Sequence, residues 1–306
     1  MPKLLKLSEE GYRAAITEKF PGWKVSSLEY LGEGWESVAC RVNQDYIFRF
    51  PKRKYTSQCL ELETRLLLEL APKVKVALPN FEFVSTTPGT HFPYPFVGYK
   101  LIGGLSQEEW DDELFEAEWW RPAVLDLLQV LHTFPLECAR ELGVRNMNPV
   151  AKATGEDVPE PASWRQGLSE FYELIRHKAF GLLSTTTRAG VSKAFEDFVG
   201  EERNFDYSPV LLHADLSEDH ILVDVPNRKV AGIIDFGDVA IGDPAYDVFR
   251  VLLPAYKGQI GSNFEKRRSF YEEILLPFYA IVYGQIYDDP LLVEEGLSEI
   301  EAYYKK

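Results

Sequence analysis

The chain is poor in cysteine, with only Cys40, Cys59 and Cys138 among its 306 residues. Three cysteines without metal-ligand spacing exclude a disulfide framework and a structural zinc site, and they point to a reducing compartment. Basic charge is also short. Lys and Arg number 33 against 48 Asp and Glu, a net charge of −15, which speaks against an extended nucleic-acid surface and fits a cationic small-molecule partner. Long apolar runs are missing as well. The N-terminal stretch MPKLLKLSEEGYRAA meets charge before it builds a signal-peptide core, and the longest apolar candidate, Ile274 to Tyr283, is broken by Pro277. The expectation is a cytoplasmic monomer with no membrane and no nucleic-acid partner. At 45% hydrophobic content the chain can still bury a sizeable core.

What is present falls into two parts. Tyr12, Ala15, Ile16 and Phe20 stand at helical spacing over residues 8–20, and Pro21-Gly22 closes that helix. Val25–Leu31, Glu36–Val42 and Tyr46–Phe50 read as an antiparallel meander, Thr56–Leu70 as a helix, and Pro79–Val84 and Phe96–Ile102 as two further strands. Gly103-Gly104 is a sharp break in composition. Beyond it the chain reads as helical from Ser106 to about Phe205, with amphipathic stretches at Leu114–Thr133, Gln166–Phe180 and Val191–Val199. Asn146–Pro161, rich in Pro, Asn, Gly and acids, reads as a loop, and His132 and His177 as structural or exposed. The predicted class is α+β: a small antiparallel-sheet lobe over 1–102 and a larger, mainly helical lobe over 103–306.

The chemistry is concentrated in Leu211–Asp247. His213-Ala214-Asp215 is followed by His220 and then by Asp235-Phe236-Gly237. Kinase-type phosphoryl transfer asks for one carboxylate to orient and deprotonate a hydroxyl, a nearby metal ligand, and a second carboxylate to hold Mg²⁺. A pair of hairpin strands with acidic turns is the competing reading. Upstream, Gly32 and Gly34 flank Glu33 where a nucleotide-covering loop would lie, because glycines let backbone amides approach phosphates; a plain hairpin turn has the same signature. Arg49 or Lys52 would supply the phosphate-gripping cation. Glu63 would pair with it from the next helix, unless it is a solvated surface glutamate. Tyr99 would limit the depth of a nucleobase pocket, and the backbone of Lys100 to Ile102 would bind the base.

These stretches together resemble the aminoglycoside phosphotransferases, particularly the 2″-O-phosphotransferases, which share a bilobal fold with protein kinases. The matching segments are LGEGWESVACRV, DYIFRFPK, FVGYKLIGG, LLHADLSEDHILVD, GIIDFGDVAIGDPAYD and VYGQIYDDPLLVEEGLSEI, so the likeness runs nearly end to end. The resemblance implies Asp215 as the catalytic carboxylate, His220 and Asp235 as Mg²⁺ ligands, and ATP or GTP as phosphate donor. It implies His213 and Asp247 as structural residues of the catalytic loop, and Asp219, Asp238 and Asp243 as carboxylates that meet a cationic acceptor. The helix expected after Asp247, VFRVLLPAYKGQ, lacks the family's acids and carries Arg250. The acceptor therefore stays open between an aminoglycoside and another alcohol, such as a macrolide or a sugar-like metabolite. A non-catalytic nucleotide-binding pseudokinase, suggested by Arg49 and His220, is the reading from a different class.

Overall fold

The computed structural model describes residues 4–106, 114 and 116–305. Helix α1 (Glu9–Lys19) begins where the Ser8 side chain accepts the Gly11 amide, and Glu9 and Glu10 in its first turn complement the helix dipole. Strands β1 (Leu28–Glu33), β2 (Ser37–Val42) and β3 (Tyr46–Pro51) follow, then helix α2 (Lys54–Leu70), β4 (Phe81–Ser85) and β5 (Phe96–Lys100). They form one five-stranded antiparallel sheet in the order β1-β2-β3-β5-β4. The predicted meander and the two further strands are all present, with ends displaced by a few residues. β1 runs on through Gly32 and Glu33, with a register shift between Tyr30 and Gly32.

Strand alternation decides what each face does. Phe48 and Phe50 turn toward α1 and bury against Tyr12, Phe92 and Phe96, an aromatic cluster in which Phe50 and Phe96 stack at 4.7 Å. Gly98 is required beside them, since a Cβ there would lie 2.6 Å from the Phe48 ring. Arg49, between the two phenylalanines, turns the other way, toward α2.

The rest of the chain is mainly helical: α3 (Arg121–His132), α4 (Leu136–Leu142), α5 (Pro149–Thr154), α6 (Trp164–Lys178), α7 (Thr185–Gly200), α8 (Phe264–Phe270), α9 (Leu276–Tyr287) and α10 (Pro290–Lys305). Between α7 and α8 lie four short strands, β6 (Val210–Leu212), β7 (Ile221–Asp224), β8 (Lys229–Ile233) and β9 (Ala240–Gly242), paired as β6–β9 and β7–β8. The larger core gathers Trp120, Leu128, Phe171, Phe195 and Phe278 and also takes in Leu66, Leu67 and Leu70 of α2. α2 therefore belongs to both halves. A backbone bridge between Leu105 and Val223, with N–O distances of 2.8 and 3.0 Å, adds a second tie.

Three expectations change. The loop over 146–161 contains α5, nucleated by Asn148, whose side chain caps the Val150 and Ala151 amides, with Pro149 in the first turn. The helix expected after Asp247 is absent: residues 248–252 form no helix, and a short 3₁₀ turn at Leu253–Ala255, with Pro254 in its first turn, follows them. Pro277 does not interrupt its apolar run: it sits in the first turn of α9, which continues directly from a π turn at Tyr271–Leu275. Of the stretch predicted as helix over Leu114–Thr133, residue 115 lies outside the described residues, and the regular helix starts at Arg121. No described helix is long and apolar enough to cross a membrane.

Candidate active site

A cleft of about 750 Å³ runs between the sheet and the helical part, with Arg49, Asp215, His220, Asp235 and Asp238 on its wall. Arg49 is the hinge of its electrostatics. Its Nη1 lies 3.0 Å from both oxygens of Glu63 on α2, and its Nη2 lies 2.6 Å from Asp235 Oδ1. Glu63 is fully buried and also accepts the Phe236 amide at 3.3 Å. One guanidinium thus joins β3, α2 and the Asp235-Phe236-Gly237 turn, as its planar fork of donors permits. Burial alone would raise the Asp235 carboxyl, but Arg49 and His220 outweigh it and hold it down at about 2.

Lys52 does a different job. Its Nζ lies 2.7 Å from the Gly34 carbonyl and 3.1 Å from Glu33 Oε2, so it holds the glycine turn rather than reaching the cleft floor. Trp35 at the tip of that turn stacks on Tyr283 of α9 at 4.8 Å, and the Tyr283 hydroxyl donates to the Trp35 carbonyl at 2.5 Å. Gly32, Gly34 and Tyr99 line the cleft. Lys100 and Ile102 do not: the Leu101 amide between them donates to the Asp45 carbonyl at 2.7 Å, and Ile102 packs over Gly232.

The Asp215 loop is fixed from below. Asp247 accepts the His213 amide at 2.7 Å and the Ala214 amide at 2.9 Å, while Ala214 adopts a left-handed φ of 63°. The carboxylate is itself approached by His132 Nε2 at 3.6 Å. His213 is buried against Phe236, and its Nε2–H donates to the Ile234 carbonyl at 3.2 Å. His220 Nδ1–H donates to the Asp215 carbonyl at 2.6 Å, which leaves Nε2 facing Asp235 Oδ2 at 3.8 Å. Among the described residues no three His, Cys, Asp or Glu side chains form a metal cage. One carboxylate with one imidazole fits a Mg²⁺ that draws most of its ligands from phosphate and water, so Asp235 and His220 are the residues that could hold it.

Comparison with known proteins bears on this arrangement. Residues 27–277 match the profile of the phosphotransferase enzyme family, APH. The chain belongs to that family. Among solved structures, the phosphotransferase is similar to wild-type aminoglycoside 2′-phosphotransferase-IIIa in its GDP complex, at 28% identity and a TM-score of 0.74, over 98% of this chain and 99% of that one. A GDP and kanamycin complex of APH(2″)-IIIa is 27% identical with a TM-score of 0.72, over 96% and 98% of the two chains. Macrolide 2′-phosphotransferase MphH from Brachybacterium faecium, at 18% identity and a TM-score of 0.65 over 96% and 98%, shares the fold.

In this phosphotransferase one expected acceptor carboxylate lies elsewhere. Asp243 is only 3% exposed; it pairs with Arg267 Nε at 2.6 Å, accepts the Tyr271 hydroxyl at 2.8 Å and caps the turn at Ala245. Its charge is spent inside the core, so the expectation that it meets substrate is corrected. Asp219 and Asp238 do line the cleft. The acids missing after Asp247 come from further on: Glu272 in the π turn, and Glu295 and Glu299 one turn apart on α10, face the same cavity. Sequence reasoning passed over these three, and also Glu36, whose carboxyl is pushed up to about 8 by burial and by Asp238. It also passed over Lys152 on α5. Lys152 Nζ lies 3.1 Å from Asp215 Oδ1 and donates to Asp238 Oδ2 as well.

Proposed function

We propose that this phosphotransferase moves the γ-phosphate of ATP or GTP onto a hydroxyl of an aminoglycoside antibiotic and so gives resistance, acting as a cytoplasmic monomer. The observation that carries the reading is the meeting of Asp215 with the Arg49–Glu63–Asp235 ion-pair system in one acid-lined cleft. In this reading residues 1–102 hold the nucleotide, with Gly32, Gly34, Arg49 and Tyr99 against it, and 103–306 present the acceptor. Mg²⁺ bound at Asp235 and His220 with the nucleotide would supply positive charge to the phosphate oxygens. Asp215 accepts a hydrogen bond from the acceptor hydroxyl and aims its oxygen in line with the γ-phosphorus. As the new P–O bond forms and the bond to the β-phosphate oxygen breaks, Asp215 takes the proton. Asp219, Glu295 and Glu299 offer the carboxylates that attract ammonium groups, while Glu272 at the same cavity is already paired with Arg268.

A second reading, the same chemistry on another alcohol such as a macrolide, is favoured by Lys152, which offsets negative charge at Asp215 and Asp238, beside the attacked hydroxyl. Nucleotide turnover measured against a panel of aminoglycosides, macrolides and simple sugars separates the two. Turnover on an aminoglycoside is expected. Failure on every aminoglycoside with turnover on another alcohol would refute the first reading, and nucleotide binding with no turnover on any acceptor would favour a pseudokinase. Asp215→Ala should abolish turnover and leave nucleotide affinity within about twofold.

A further inference from the structure

The proposed chemistry gives Lys152 no step of its own, yet its side chain is only 13% exposed and fully engaged. α5 is held at both ends. Asn148 caps its start and donates to the Pro159 carbonyl at 3.0 Å, the Thr154 carbonyl accepts the Tyr287 hydroxyl at 2.8 Å, and Gly155 closes the helix at φ 60°. That placement delivers the ammonium to three acceptors: the Ala214 carbonyl at 2.8 Å, Asp215 Oδ1 at 3.1 Å and Asp238 Oδ2. A lysine has three N–H donors, so none remains for a phosphate.

Ala214 makes the arrangement informative. A left-handed φ is strained for a non-glycine residue and persists only where the surroundings hold it. Here Asp247 grips the Ala214 amide and Lys152 its carbonyl. Asp215 Oδ1 is also taken by Lys152, and His220 Nδ1, 3.7 Å from Oδ2, gives its proton to the Asp215 carbonyl instead, so Oδ2 is the oxygen left to receive a hydroxyl.

We infer that Lys152 is a positioning residue for Asp215: it locks the Ala214 turn and one carboxylate oxygen, so that the other oxygen faces the acceptor. This rests on the phosphotransfer reading above. The competing account makes Lys152 a counter-ion for Asp238 and nothing more.

The test measures Lys152→Met in two backgrounds, wild type and Asp238→Asn. The double variant keeps the one net negative charge that Asp215, Asp238 and Lys152 carry together, so loss of folding through stranded charge is avoided. A misplaced general base costs on the order of 10²-fold in rate. Lys152→Met should lower kcat by about 10- to 100-fold in both backgrounds and leave the KM for MgATP within about twofold, because Arg49 and Asp235 are untouched. A loss that disappears in the Asp238→Asn background overturns the inference. A crystal structure of the double variant reads the geometry without any acceptor: a relaxed Ala214 turn and a rotated Asp215 carboxylate support the inference, and an unmoved Asp215 overturns it even if the phosphotransfer reading itself has failed.

Discussion

Replacing Arg49 with Met removes the cation shared by Glu63 and Asp235 while keeping most of the side-chain volume. Glu63 has no exposure to solvent, whereas the Asp235 side chain is 37% exposed, so the charge stranded in the interior is that of Glu63. Breaking a buried ion pair from one side costs about 3–5 kcal/mol, because the remaining charge has lost its partner without regaining water. The Phe236 amide still holds one Glu63 oxygen, which places the expected loss near the lower end, at about 3 kcal/mol. Arg49→Met/Glu63→Gln removes the stranded charge and keeps an acceptor for that amide. It should recover about 2 kcal/mol. Urea unfolding followed by tryptophan fluorescence measures the stabilities, and calorimetric titration with MgATP measures the binding, which should stay weakened in both variants. The reasoning fails if Arg49→Met loses less than about 1 kcal/mol, or if the double variant is no more stable than the single one.

Asp243→Asn should cost about 3 kcal/mol by stranding the fully buried Arg267, and it should leave acceptor KM within about twofold; a tenfold rise in KM at unchanged stability would return Asp243 to the acceptor site. His213 is pushed down from 6.5 to about 4 by burial, so its folded state favours the neutral ring. Protons then bind preferentially to the unfolded chain as pH falls from 6.5 toward 4, and about 3 kcal/mol of stability is lost over that window. His213→Gln should flatten this part of the stability curve, and parallel curves for the two proteins would contradict the assignment. Gly98→Ala should cost about 1–3 kcal/mol by driving a methyl group into the Phe48 ring, measured as a lowered Tm; an unchanged Tm would show that the ring yields freely.

The sheet and the Asp215 and Asp235 turns were legible because their signals are local. Tyr46–Phe50 reads as a strand from its composition, and the spacing from His213 to Gly237 carries its own geometry; that Phe48 and Phe50 share a face opposite Arg49 follows once the strand is formed. Lys152 was illegible for a physical reason: a six-residue helix has no periodicity to read, and its one signal, Asn148 before Pro149, looks equally like a turn. Asp243 misled because the partner that buries it, Arg267, comes 24 residues later, beyond any local pattern. The acids on α10 were hidden in the same way. Glu295 and Glu299 look like an ordinary solvated helix face until the fold turns that face into the cleft.

The contact between Arg49 and Asp235 has a consequence for the order of events at the start of a catalytic cycle. One oxygen of the carboxylate that would receive a metal is already occupied by a fixed positive charge. A bare divalent ion arriving at Oδ2, beside His220 Nε2, would have to share the carboxylate with that charge and would offer the arginine nothing in return. A metal that arrived already riding on a triphosphate would bring the guanidinium a new set of anionic oxygens. Under the proposed reading the site would therefore favour the complex over the free ion, a selectivity that would come from exchanging partners rather than from the fit of a cage.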